Sequence, residues 1–242
     1  MLSNIRFVLI NTSHPGNIGA VARAMKNMSL HDLHLVTPKN FPNADATARA
    51  SGADDILANA KVHQSLDAAI SECSLVIGTS ARLRSIAWPQ LDPRQCAEQV
   101  LSASRHQKVA ILFGREHSGL TNLELDHCHY LVRIPTDPDF SSLNVASAAQ
   151  IISYELRVAS QYPSSDTPTS MEQLTTVEET ELFYTELENV LVEIEFLNPE
   201  SPKHRKRLMR RLRRLFNRIR LNRNEMNILR GILTAIRGRR GI

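Results

Sequence analysis

The chain predicts an α/β fold, a mostly parallel sheet of five or six strands, followed by a small α-helical extension. Three observations carry this. Short apolar runs recur at Ile5–Ile10, Leu33–Thr37, Ser74–Gly78, Val109–Phe113 and Tyr130–Ile134, each run separated from the next by loop and helix patterns. Strands alternating with helices imply right-handed crossovers and a sheet covered on both faces. Thr79-Ser80-Ala81 follow one run and Gly114 ends another, at the carboxyl edge where open α/β folds bind ligands. The charge is also unevenly spread: residues 1–162 carry 14 Lys/Arg against 14 Asp/Glu, residues 163–202 none against 10, and residues 203–242 carry 15 against 1. The 242 residues therefore divide into a sheet domain over 1–162, a Ser/Thr/Pro-rich linker over 163–176 and a basic helical extension over 177–242.

Taken in order, Ile5–Ile10 is a buried first strand and Asn11–Asn17 a loop holding Pro15 and Gly16. Ile18–Met28 places Val21, Met25 and Met28 on one helix face. After the second strand, Ala44–Ala60 is alanine-rich and helical in part, broken around Gly52, and Ser65 is an N-cap for a short helix before the third strand. Arg82–Pro93, with two arginines, two prolines and Trp88, reads as an irregular exposed loop, and Gln95–Ser104 as a helix. Val109–Phe113 leads through Arg115, Glu116 and Gly119 to Thr121-Asn122-Leu123-Glu124, a capping-box pattern. Tyr130–Ile134 leads through Ser141, Ser142 and Asn144 to the helical run Val145–Arg157. Two successive strand-loop-helix units suggest one ligand pocket, with the second helix start capped or open to ligand.

Beyond the linker, Leu182, Phe183, Leu187, Val190, Leu191 and Ile194 follow helical spacing on an acidic segment, and Asn198–Pro202 ends it. Leu208, Leu212, Leu215, Phe216 and Ile219 mark a second helix, rich in arginine, and Met226, Leu229, Ile232, Leu233 and Ile236 a third.

Several function classes lose support. Pro15-Gly16-Asn17-Ile18-Gly19 falls short of Gly-x-Gly-x-x-Gly, and there is no Walker lysine and no Gly-x-Ser-x-Gly elbow. Gly16 and Gly19 have the plainer reading of a tight turn and close helix packing. His127, Cys128 and His129 are neighbours whose side chains alternate faces on an extended segment, so no metal site is expected there and a partly exposed strand start is the default. Cys73, Cys96 and Cys128 are too few and scattered for a disulfide framework, and no apolar run reaches the roughly 18 residues of a membrane span. A cytoplasmic protein is expected. The cationic tail suits phosphate contacts. An acidic protein partner, the neighbouring acidic segment included, or a solvated helix face could use the same charge.

Asn17-Ile18-Gly19-Ala20-Val21-Ala22-Arg23, Leu112-Phe113-Gly114-Arg115-Glu116-His117-Ser118-Gly119-Leu120, and Ile134-Pro135 with Ser142-Leu143-Asn144-Val145-Ala146 resemble the three motifs of the SpoU branch of the SPOUT RNA methyltransferases. The likeness covers residues 1–160. With the Gly78–Arg82 turn and the acidic-then-basic extension, the chain looks most like enzymes that 2′-O-methylate the ribose of cytidine or uridine 32 in tRNA. The resemblance implies a C-terminal trefoil knot, S-adenosylmethionine bound in it, and a homodimer with the active site at the subunit interface. Carried over by motif, Thr79, Ser80, Ala81, Gly114, Ile134, Ser141, Ser142, Leu143 and Asn144 form the cofactor pocket, while Asn17, Arg23 and Glu116 line the RNA side. Arg23 is the expected clamp on the RNA phosphate, because guanidinium stays protonated and is no general base. Ser142 is expected to position or relay the proton, and Glu116 to orient Asn17 or Arg23. Methylation of ribosomal RNA or of another tRNA position, and RNA chaperoning without transfer, are the competing functions.

Overall fold

The computed structural model describes residues 1–81, 88–161, 173–198 and 200–238. They fall into two compact units, Met1–Thr169 and Ser170–Ile242.

The first unit is a seven-stranded, wholly parallel sheet built from β1 (Ile5–Ile10), β2 (Asp32–Val36), β3 (Lys61–His63), β4 (Cys73–Thr79), β5 (Gln90–Leu91), β6 (Lys108–Phe113) and β7 (Tyr130–Val132), in the order β3-β2-β1-β6-β4-β7-β5. Seven strands correct the five or six expected. The two additions are the edge strands β3 and β5, of three and two residues, too short to show an apolar period. Every residue of β1 is buried, as in a sheet covered on both faces. Arg6 is buried among them because its guanidinium donates to the Ala69 carbonyl at 2.5 Å and pairs with Asp32 at 3.1 Å.

Helix α1 (Pro15–Asn27) packs against α2 (Ala44–Ala50) so closely that a Cβ on Gly19 would stand 2.0 Å from the Ala46 carbonyl oxygen. Close packing is thus what Gly19 provides. Chain reversal at Ser51 and Gly52, both at positive φ, separates α2 from α3 (Asp54–Ala58). Next come α4 (Leu66–Ile70), capped by Ser65, and α5 (Pro93–Ser104), capped by an Asp92–Gln95 box that the sequence reading did not use. Thr121 and Glu124 form the expected capping box on α6 (Asn122–Leu125). Helix α7 (Val145–Gln161) lies against both α1 and α5 over the main apolar core.

The stretch expected as an exposed loop is ordered differently in its second half. Trp88 is buried, its indole donating to the Cys128 carbonyl at 3.3 Å, and Gln90–Leu91 pair with β7 as β5. Arg82–Ala87 lie outside the described residues. Cys128 is buried rather than at a partly exposed strand start, and His129 turns back to accept the Val76 N–H at 3.1 Å. No cluster of three metal-ligating side chains occurs among the described residues.

The second unit comprises α8 (Val177–Glu193), α9 (Pro202–Ile219) and α10 (Arg223–Gly238). Phe183, Tyr184, Val190, Leu221, Met226 and Leu233 form its core. Most of the residues expected as linker, 163–172, lie outside the described ones; Thr175 hydrogen-bonds to the Leu221 carbonyl and Thr176 caps α8. Acidic α8 is matched by arginines on both neighbours. Glu179, Glu186 and Glu193 pair with Arg223, Arg230 and Arg237, each set at seven-residue spacing, so α8 and α10 run in the same direction. Glu181 and Glu188 pair with Arg213 and Arg205, in the reverse order that an antiparallel α9 requires.

Candidate active site

The carboxyl ends of β6, β4 and β7 are neighbours in the sheet, and the pocket opens there. Thr79, Ser80, Ala81, Gly114, Ile134, Ser141, Ser142 and Leu143 all line it. Three local features shape these walls. The Thr79 hydroxyl donates to the Leu112 carbonyl at 2.9 Å, fastening the end of β4 to β6, and the Ser80 N–H extends the ladder to Val132. Arg115 and Gly119 exchange two backbone hydrogen bonds, closing the loop after β6 into a tight ring with Gly119 at positive φ. A Cβ on Gly114 would meet the Gly119 carbonyl carbon at 2.2 Å, so only glycine fits where that ring closes. Arg115, Glu116, His117 and Ser118 also line the pocket, and of these only Glu116 was singled out as a site residue. Their presence in the same loop was the available signal.

Asn144 is placed differently from the expected cofactor residues. It lies outside the pocket lining, its Oδ1 accepts the Ala146 N–H at 2.8 Å to cap α7, and its Nδ2 donates to Asn17 Oδ1 at 3.0 Å. Asn17 Nδ2 in turn donates to Glu116 Oε1 at 3.1 Å. The Glu116 carboxylate also accepts the backbone N–H groups of Ser13 and His14 and the Ser13 hydroxyl. His14, the N-cap of α1, makes no side-chain cap; Glu116 supplies the capping carboxylate from another loop. One chain of hydrogen bonds thus joins all three sequence motifs. Ser13 was not foreseen in it, since nothing local marks a residue that bonds across 103 positions.

Partial burial pushes the Glu116 pKa upward, but hydrogen bonds from its own backbone N–H, Asn17, Ser13 and His14 outweigh this and hold it below the ordinary carboxylate range. An ionised, fully engaged carboxylate is a poor proton acceptor and a good anchor. Its partner is Asn17, and no hydrogen bond between Glu116 and Arg23 is found. Arg23 is exposed on α1, six residues or roughly 9 Å along the helix from Asn17, and is not part of the pocket wall.

The donor set suits S-adenosylmethionine. Ala81, Val132, Ile134 and Leu143 offer apolar faces for an adenine, while hydroxyls and strand-end backbone offer hydrogen bonds for a ribose. Arg115 is neutralised by Glu124, both of whose oxygens lie 3.0 Å from Nη1, and the ionised Glu116 favours a sulfonium cation.

A strand-end pocket of this kind on a parallel sheet, with no glycine-rich phosphate loop, places the chain among the α/β proteins that bind a small ligand at the carboxyl edge of the sheet. Comparison with known proteins narrows that class. Residues 4–154 match the SpoU rRNA Methylase family, and residues 178–241 match the tRNA methyltransferase TrmJ C-terminal domain. The chain is 54% identical to the tRNA (cytidine/uridine/adenosine-2′-O-)-methyltransferase TrmJ of Pseudomonas aeruginosa, over 97% of this chain and 94% of that one. It matches the crystal structure of TrmJ from Z. mobilis with a TM-score of 0.83 and 32% identity, covering 96% of this chain and 98% of that one. A probable methylase family protein from Haemophilus influenzae is 45% identical, with a TM-score of 0.65, over 99% and 98% of the two chains. The chain belongs to the SpoU methylase family, in the branch of its TrmJ relatives, and is a methyltransferase.

Proposed function

We propose that the protein transfers a methyl group from S-adenosylmethionine to the ribose 2′-hydroxyl of a cytidine or uridine at position 32 of the tRNA anticodon loop, as a cytoplasmic homodimer. The observation that carries the reading is the Asn144–Asn17–Glu116 chain beside a pocket suited to the cofactor. Relatives named as tRNA 2′-O-methyltransferases at 46–54% identity support tRNA as the substrate. No described helix is long and apolar enough to cross a membrane.

When bound, the cofactor supplies an electrophilic methyl on a sulfonium. Thr79, Ser80, Ala81, Gly114, Ile134, Ser141, Ser142 and Leu143 would hold it, and the segment from β6 to α7 is where we place the family's knot. The residues around it must align the nucleophile and ease loss of its proton. Ser142, exposed at the pocket lip, positions the hydroxyl or relays its proton. Glu116 fixes Asn17, and Asn17 fixes Asn144. Arg23 clamps the RNA phosphate and stabilises the developing alkoxide, reaching the pocket of the other subunit in a homodimer.

In the second unit, Lys203, Arg207, Arg211, Arg214 and Arg218 recur at spacings of four, four, three and four, a single stripe on α9, and none of them is paired with α8. This stripe is the proposed phosphate track. The test is incubation of purified protein and labelled cofactor with bulk tRNA and, in parallel, with ribosomal RNA, then nucleoside mapping of each. Label at the ribose of nucleotide 32 is expected, and label in ribosomal RNA alone would transfer the reading to that substrate.

A further inference from the structure

Phe140 is the most exposed large apolar side chain among the described residues, at 82%. Its backbone is nonetheless held. The Phe140 N–H donates to the Asp137 carbonyl at 3.2 Å and lies 3.3 Å from Asp137 Oδ1, which also accepts the Asp139 N–H at 2.8 Å. Thr136 Oγ1 donates to the Ser141 carbonyl at 3.4 Å on the other side. An aspartate turn of this kind presents residue 140 in a defined direction. The next three residues, Ser141, Ser142 and Leu143, line the pocket. A single exposed apolar residue is ordinary by itself. A phenyl side chain carried on a held backbone, one position from the pocket wall and open to solvent, has a specific use.

We propose that Phe140 is the stacking platform for the base of the nucleotide whose ribose is methylated. The inference rests on reading the pocket as an RNA 2′-O-methyltransferase site. A ribose drawn into a pocket at the strand ends carries its base away from the stack of its neighbours, and an unstacked base gains from a new apolar face. An aromatic ring supplies that face without reading the base edge. It therefore holds cytosine and uracil alike, which matches a reaction whose chemistry is confined to the sugar. Selection of position then comes from phosphate contacts and RNA shape.

The full-length protein is compared with Phe140→Ala, Phe140→Leu and Phe140→Trp, using an anticodon stem-loop RNA and intact tRNA. Phe140→Ala should lower kcat/KM for RNA by roughly ten- to a hundredfold, with cofactor affinity by calorimetry and mass by light scattering unchanged. Phe140→Leu should not restore it, and Phe140→Trp should. With the wild-type emission of the buried Trp88 subtracted, the emission of the new indole reports its own surroundings and should be quenched when RNA is added. Leucine as effective as phenylalanine would overturn stacking in favour of plain apolar contact. A changed mass would assign the ring to contact with a second copy, and lost cofactor affinity would assign it to the cofactor pocket. No methyl transfer to any RNA by the wild type would reject the parent reading, whereas indole emission indifferent to RNA would reject the stacking proposal alone.

Discussion

Asn144 Nδ2 donates to Asn17 Oδ1 at 3.0 Å, joining the first residue of one motif to the middle of another across 127 positions. Each asparagine sits at a helix start, Asn17 in the first turn of α1 and Asn144 as the cap of α7. The bond therefore ties together two helices that also pack along their length. Glu116 completes the tie from the loop after β6.

Glu116→Ala should lower thermal stability by about 1–2 kcal/mol, the usual cost of orphaned donors at a helix start. It should reduce turnover, because it loosens Asn17, and should also weaken cofactor binding, because the carboxylate that faces the sulfonium from the pocket wall is lost while the pocket's hydroxyls remain. Calorimetric melts, cofactor titrations and single-turnover rates check these effects.

Arg23→Ala should leave cofactor affinity within twofold while methyl transfer falls about a hundredfold or more. Mixing it with Asn144→Ala should restore part of the activity through one intact site per heterodimer. No complementation, with heterodimers shown to form, would place each site within one chain.

Gly114→Ala should abolish cofactor binding, since the added carbon would lie 2.2 Å from the backbone of Gly119 and the ring after β6 would have to open. Gly19→Ala forces α1 from α2, against the Ala46 carbonyl, and should cost stability chiefly. A cofactor titration beside a melting curve separates the two.

Stability should decline with acid in two stages. Burial lowers the pKa of His34 and His63, so the folded state binds fewer protons than the unfolded one below about pH 6.5 and is destabilised as pH falls through that range. Burial pushes Asp32 upward, but hydrogen bonds and charge from His34 and Arg6 hold it far below the ordinary range, and Glu116 is lowered too. Their contribution is complete above the unfolded carboxylate pKa of about 4 and is lost as pH falls toward the folded values. Urea midpoints from pH 7.5 to 3 should show both stages, and Glu116→Gln should flatten the second.

Replacing Arg207, Arg211 and Arg218 together by alanine should weaken tRNA binding and reduce its salt slope by about two. Arg213→Ala should instead destabilise the helical unit, because that guanidinium pairs with Glu181 and lies 4.5 Å over the Tyr184 ring. Equal salt slopes for wild type and triple variant would remove the stripe from the RNA surface.

Five strands, the major helices and the Thr121–Glu124 capping box were legible because apolar period and cap chemistry are local properties of the chain. The sheet edge at Thr79–Ala81 and Gly114 was legible for the same reason, because these residues follow strands whose ends the sequence marks, whereas Ile134, Ser141, Ser142 and Leu143 were assigned to the pocket through their likeness to the SpoU motifs. Edge strands β3 and β5 were not, since three and two residues carry no period and owe their pairing to β2 and β7. The Glu179/186/193 and Arg223/230/237 ladders could have been read from their seven-residue spacing, though only the fold shows which helix meets which. Packing alone decided that Trp88 is buried, that Glu116 caps α1 in place of His14, and that Asn144 turns toward Asn17. Those contacts span about a hundred positions or fewer than fifty with no local signature, and they exist only once the sheet has set strand ends and helix starts side by side.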